Sequence, residues 1–120
     1  MSENTPFDIE RFVAEDDGKP VVMLNLLRFK PGGGRERYFE YIALARPFVE
    51  KVGGSVVYAG DGLPALVGGP GQTWDGVALV RYPSRKAFLA MVDDPGYQRT
   101  APVRADALID AVLQPTRELG

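Results

Sequence analysis

The sequence predicts an α+β fold, one four-stranded antiparallel sheet built in the chain order β-α-β-β-α-β with an extra helix in front. Three observations carry that reading. Val21 to Phe29 is apolar on both alternating faces, as expected of a strand covered on both sides. Trp74 to Tyr97 reads as a strand, a tight stop and a helix, because Val77 to Tyr82 is β-branched, aliphatic and aromatic while Pro83-Ser84 ends the ladder. Between these two stretches Tyr38, Tyr41, Ile42, Ala45, Phe48, Val49 and Val52 recur at helical spacing.

Taken in order, Thr5 is expected to cap a first helix with Pro6 at its first position and Asp8 in its first turn, where the helix dipole favours a carboxylate. Phe7, Ile9, Phe12 and Val13 would dock that helix, and Gly18 and Pro20 would stop it. In the first strand, Val22, Leu24 and Leu26 form a wholly apolar face, while Val21, Met23, Leu27 and Phe29 share the other with Asn25. Pro31-Gly32-Gly33-Gly34 then releases the long helix. Pro47 should kink or restart it, since proline lacks the N–H and clashes with the preceding turn, and Gly53-Gly54 closes it. The second strand runs from Ser55, bends near Gly60-Asp61-Gly62 and resumes at Ala65-Leu66-Val67, with Gly68 to Gly71 as the hairpin loop. Asp94-Pro95 starts a short helix that Pro102 interrupts, and Ala107 to Leu113 is the last strand, ending at Pro115. This order is the ferredoxin-like arrangement, with residues 1–19 as a helical extension of a single domain over 20–120. Its sheet carries the main helices on one face. The other face is apolar too, so a second copy is expected to cover it, giving a homodimer.

Composition removes several function classes. At 120 residues, with 45% hydrophobic and 25% charged, the chain suits one globular core. A net charge of −2 and a pI near 5.1 leave no basic footprint for nucleic acid or an anionic membrane. Zero cysteines exclude disulfides and thiolate metal sites, and zero histidines exclude an imidazole base, a Ser-His-Asp relay and histidine-ligated metals. No cofactor or metal is therefore expected. The polar N-terminus lacks the pattern of a signal peptide, and no apolar run is long enough to span a bilayer, so the expected location is cytoplasmic.

Several local features fall into one pattern: Pro47 six residues before Gly53-Gly54, Gly60, Val80-Arg81-Tyr82-Pro83, and Asp94-Pro95-Gly96-Tyr97 followed by Pro102 and Arg104. In these the chain resembles the DUF1330 family of the dimeric α/β-barrel superfamily, from about the first strand to the end of the chain. Met23 to Phe29 and the leading helix look like a longer branch of it. Short members often carry Glu-Gly where this chain has Gly68-Gly69, so a role for that glutamate does not transfer. The resemblance implies a homodimeric barrel with a cavity, and no activity. Haem-using members of the superfamily are a poor guide, because their usual proximal histidine has no counterpart here.

Five residues are candidates for ligand contact. Asn25 is an amide in an otherwise aliphatic strand, where it either orients a ligand oxygen or bonds a loop backbone. Asp75 and Arg81 share one face of the third strand with Val77 and Leu79, opposite Trp74, Gly76, Ala78, Val80 and Tyr82. If the second set meets the helices, Asp75 and Arg81 point to the sheet-covered side, and Asn25 is expected beside them. They would act there as base and anion clamp, or else form solvated ion pairs. Tyr97 and Arg104 are spaced for one helix face, as a phenol and guanidinium bordering a pocket for a carboxylate, or as a packing anchor and an ion-pair partner. Pro31 to Arg35 lacks the Gly-Lys-Ser/Thr of a phosphate loop and reads as a plain turn, and Tyr38, Tyr41 and Tyr58 read as core. The function these features support is binding of a small, partly apolar, anionic molecule in the barrel. The alternatives are a cofactor-independent isomerase, cyclase or monooxygenase, and a structural or stress-associated dimer without a ligand.

Overall fold

The elements follow the chain as α1 (Ile9–Ala14), β1 (Val21–Phe29), α2 (Gly34–Lys51), β2 (Ser55–Asp61), β3 (Gly76–Tyr82), α3 (Arg85–Asp93), α4 (Pro95–Gln98), α5 (Ala101–Ala107) and β4 (Leu108–Thr116), in a computed structural model that describes residues 8–119. The strands pair antiparallel in one sheet ordered β2-β3-β1-β4, which is the expected ferredoxin-like α+β arrangement. β1 takes an inner place because both of its faces are apolar enough to be covered. No helix among the described residues is long and apolar enough to cross a membrane.

Local chemistry sets most of the boundaries. Ser84 caps α3, its Oγ accepting from the Ala87 N–H at 3.1 Å, and Asp94 caps α4 by accepting from the Gly96 N–H at 2.8 Å, with Pro95 at the first helical position. α1 is capped by Asp8, which accepts from the Arg11 N–H at 3.0 Å. Thr5, Pro6 and Phe7 lie outside the described residues. Phe12 fastens α1 to α3 by an edge-on contact with Phe88 at 5.8 Å, under the Arg85 guanidinium. Gly33, at φ +116°, turns the chain into α2 in a conformation that L side chains rarely adopt. Gly34 then passes so close to α5 that a Cβ there would sit 2.6 Å from the Ala107 carbonyl oxygen.

Four expectations about where elements begin and end are corrected. Pro47 does not interrupt α2, which runs unbroken from Gly34 to Lys51; Ala43, whose carbonyl loses its partner to the proline, is an exposed residue. Pro102 begins α5 instead of ending a helix, since its missing N–H costs nothing in a first turn. β2 does not resume at Ala65, because Asp61 already pairs with Gly76 at the start of β3 and no ladder partner remains, so residues 62–75 form a loop. β4 starts at Leu108 and extends through Pro115 to Thr116, while Ala107 closes α5.

The register fixes the faces. Val21, Met23, Asn25 and Leu27 of β1 lie opposite Tyr82, Val80, Ala78 and Gly76 of β3, and these odd positions of β1 meet the helices. Two buried clusters result: Val21, Met23, Tyr82, Phe88 and Met91 at one end, and Leu27, Tyr38, Tyr41, Ala45 and Ala107 at the other. The opposite face holds Leu24 and Leu26 of β1 and Val77 and Leu79 of β3, with Tyr58 of β2 across from Leu79. No described helix packs on that face, and Tyr58 stays 54% exposed. Asn25 is thus on the helix side, away from Arg81. Trp74 is also displaced from its expected place on the helix face; it precedes β3 and carries the Arg28 guanidinium 4.5 Å from its ring centroid.

Candidate functional site

A cavity of about 900 Å³ lies between the helix face of the sheet and α2 to α5. Its size and mostly apolar lining are those of a small-molecule site. β1 supplies Met23, Asn25 and Leu27 to the floor; α2 supplies Tyr38, Tyr41 and Ile42; α4 and α5 supply Tyr97 and Arg104. β2 forms an exposed flank, and there Arg35 of α2 holds Asp61 in a two-pronged ion pair at 2.9 and 3.1 Å.

Polar groups gather at one end. The hydroxyls of Tyr41 and Tyr97 stand 2.7 Å apart, joined by a hydrogen bond whose donor can be either one. Tyr38 lies a helical turn from Tyr41, their ring centroids 5.4 Å apart. Burial pushes the Tyr41 hydroxyl far above the ordinary tyrosine range, and the neighbouring Tyr97 and Tyr38 hydroxyls add to the rise. Burial raises Tyr38 as well, against the opposing charge and hydrogen bond of Arg104. Both are therefore neutral phenols near pH 7 and serve as hydrogen-bond donors. The half-buried Arg104 has no carboxylate partner among the described residues.

Asn25 is buried, and the one hydrogen bond its side chain makes among the described residues is a long one, Nδ2 donating to the Met23 carbonyl at 3.4 Å. The amide does not bond a loop backbone, and its oxygen remains available to the cavity it lines. The structure thus brings Asn25, Tyr97 and Arg104 to one cavity and leaves Asp75 and Arg81 outside it. Asp75 is exposed and accepts from the Phe29 N–H at 2.9 Å, pinning the end of β1. Arg81 lies on the helix-free face in an exposed ion pair with Glu118 at 2.9 Å. The Pro31 to Arg35 turn is no phosphate cradle either: the Gly34 N–H is spent on the Lys30 carbonyl. Sequence reasoning passed over Tyr38 and Tyr41 as core. Their spacing of three, opposite a Tyr and an Arg on two later helices, is the signal that marks them. Among the described residues no group of acidic side chains is arranged to hold a metal ion.

Three comparisons place this geometry among known proteins. The model of a domain of unknown function, DUF1330, matches residues 33–114. The crystal structure of a protein of unknown function from Rhodopseudomonas palustris is 33% identical and superposes with a TM-score of 0.89 over 98% of this chain and 96% of that one. A dimeric ferredoxin-like protein of unknown function from a Jannaschia species, 13% identical, gives a TM-score of 0.64 over 82% of this chain and 99% of its own. A hydroxynitrile lyase from Passiflora edulis, 15% identical, gives 0.63 over 82% and 93%, and at that identity it shares the fold alone. No curated protein matches the chain.

Proposed function

This chain belongs to the DUF1330 family, and from that premise we propose that it is a homodimeric binding protein whose cavity takes a small, partly apolar, anionic organic molecule. The observation that carries the proposal is Arg104, a half-buried guanidinium on the wall of a mostly apolar cavity with no carboxylate partner among the described residues. A desolvated cation without a counter-charge is costly, and an anionic ligand offsets that cost while its apolar body fills the space beside Ile42 and Met91. Tyr97 and Asn25 would orient the ligand's oxygens.

The dimer is supported by the helix-free sheet face, where Leu24, Leu26, Val77, Leu79 and Tyr58 form an apolar surface that one chain leaves open. A relative of this fold from Jannaschia is described as dimeric. Burial of about 1,600 Å² in total would be ordinary for such an interface. A cytoplasmic location suits a chain with no cysteine. For the enzymatic alternative, in which Asp75 or a tyrosine would be the acid/base, Asp75 lies outside the cavity and the tyrosines on its wall are the remaining candidates. A ligand-free structural dimer has no use for a cavity of this size.

The test is a thermal-shift screen of aryl and alkyl carboxylates against their uncharged amides, on the wild type and on Arg104→Met, with light scattering for the dimer. Carboxylates should raise Tm and matched amides should not. Arg104→Met should weaken carboxylate binding by about 1.5–3 kcal/mol, the worth of a hydrogen bond to a charged group. Equal stabilisation by amide and acid, or none by either, would refute the site, and a folded monomer at micromolar concentration would refute the dimer.

A further inference from the structure

Leu63, Leu66 and Val67, in the loop between β2 and β3, are 83%, 101% and 96% exposed, so a single chain gives these apolar side chains almost no cover. We infer that residues 63–67 are an arm that grips a second copy of this chain at the rim of the helix-free sheet face. This rests on the reading of the protein as a homodimer and names a further contact within that dimer.

The loop is held on the open side of the sheet. Arg28 follows Leu24 and Leu26 at the period of two, so its side chain leaves β1 on the helix-free face, where its guanidinium meets Asp110 of β4 at 3.0 Å. The same guanidinium donates to the Thr73 carbonyl at 2.6 Å and the Gly71 carbonyl at 3.3 Å, and it lies over the Trp74 ring. The returning limb of the loop is thereby pinned beside that face. At the tip, the Gln72 side chain accepts from the Gly69 N–H at 2.7 Å while the Gln72 N–H donates to the Gly69 carbonyl at 3.1 Å, and at the base the Gly62 N–H donates to the Asp75 carbonyl at 2.8 Å. A segment fastened in this way has less conformational freedom to lose on docking.

Size and charge point to a second copy as the occupant. Four strands of seven to nine residues give the sheet an outline of about 19 by 26 Å from ordinary strand spacing and rise. That is about 500 Å² in projection, where a standard interface takes about 800 Å² from each partner. An apolar arm at the rim adds area where the face is short of it. The two guanidiniums of the face are neutralised within the chain, Arg28 by Asp110 and Arg81 by Glu118, so an identical face meets no uncompensated like charge from them. Two-fold symmetry then makes the grip mutual. A lipid surface fits less well, because residues 62–74 hold no Lys or Arg and the Arg28 that ties them down is already paired. The arm is no lid on its own cavity either: none of residues 62–75 lines it, and the Arg28 bonds hold the loop to the other side of the sheet.

The chain has no cysteine, so a thiol introduced at residue 66 is the single one in the molecule. Leu66→Cys and, as a control at an exposed position of α3, Lys86→Cys are labelled with a maleimide dye at micromolar protein, and the assembly state of the wild type and of Leu66→Asp is read by sedimentation. Labelling at residue 66 should be at least tenfold slower than at residue 86. Leu66→Asp should raise the dimer dissociation constant at least tenfold, which is about 1.4 kcal/mol or more. Both positions are exposed in the single chain, so these substitutions leave its fold intact, as circular dichroism checks. A wild-type dimer in which residue 66 labels as fast as residue 86, or which Leu66→Asp leaves equally tight, overturns the arm and leaves the sheet-face dimer standing. If the wild type sediments as a folded monomer, the dimer and the arm fall together.

Discussion

The two buried clusters share β1 and treat polar atoms in opposite ways. At the Val21 end, side chains pack aliphatic against aromatic, and the buried tyrosine, Tyr82, has among the described residues only the Met91 sulfur to donate to, at 3.7 Å. At the Leu27 end, two tyrosines are buried, one of them bonded to Tyr97 and both within reach of the Arg104 charge. Tyr97 touches both clusters and is the seam between them. The difference shows where this fold can accept chemistry. Both ends line the cavity, but it is the Leu27 end that brings a hydroxyl pair and a guanidinium to its wall.

The largest effect that tests this contrast acts on both ends together. Burial holds the Tyr38, Tyr41 and Tyr82 phenols above their ordinary range, so each is easier to ionise in the unfolded chain. Stability from a raised pKa is fully present below the unfolded value, about 10 for tyrosine, and is lost as pH rises beyond it. Alkaline titration should therefore unfold the protein completely, the phenolate absorbance of these three residues appearing together with loss of the circular-dichroism signal. Ionisation of all three in a chain that keeps its fold would break the picture of two buried clusters.

Next in size is Phe88→Ala at the packed end, expected to cost about 3–5 kcal/mol in denaturant unfolding. The ring is buried and meets both Tyr82 and Phe12, so the vacated space has few routes to collapse. A cost near 1 kcal/mol would mean that this end is as loosely built as the other.

The smallest effect sharpens the contrast most. Tyr97→Phe removes one member of a 2.7 Å hydroxyl pair and leaves the buried Tyr41 hydroxyl without it, for about 1–3 kcal/mol. Tyr82→Phe removes only a long contact to sulfur and should cost no more than about 0.5 kcal/mol. Equal losses in the two variants would show that polarity is not segregated between the ends.

What the sequence made legible was whatever local chemistry decides. β1 ends at the residues its apolar run marks, and Ser84 and Asp94 cap α3 and α4 because their side chains reach backbone N–H groups two or three residues on. The face on which Asn25 lies was not legible. β1 is apolar on both sides, so its alternation does not say which side meets the helices, and one residue of parity moves the amide from one face to the other. That parity separates Asn25 from Arg81 and joins it to Tyr97 and Arg104. Residues 65–67 misled for another reason: Ala-Leu-Val has strand chemistry, but β3 begins too late to pair with it. Tyr38 and Tyr41 looked like core because they are core, and only the later arrival of Tyr97 and Arg104 makes their hydroxyls a site.

The edges of the sheet carry a consequence for how far association can go. β2, on one border, is bulged between Val56 and Tyr58, and β4, on the other, contains Pro115, which has no N–H to offer a fifth strand. Growth by strand addition, the route to fibres, meets a defect on each side. Stacking through the helix-free face meets none, and that face is used up once two copies have joined. In the proposed dimer, assembly would therefore stop at two copies.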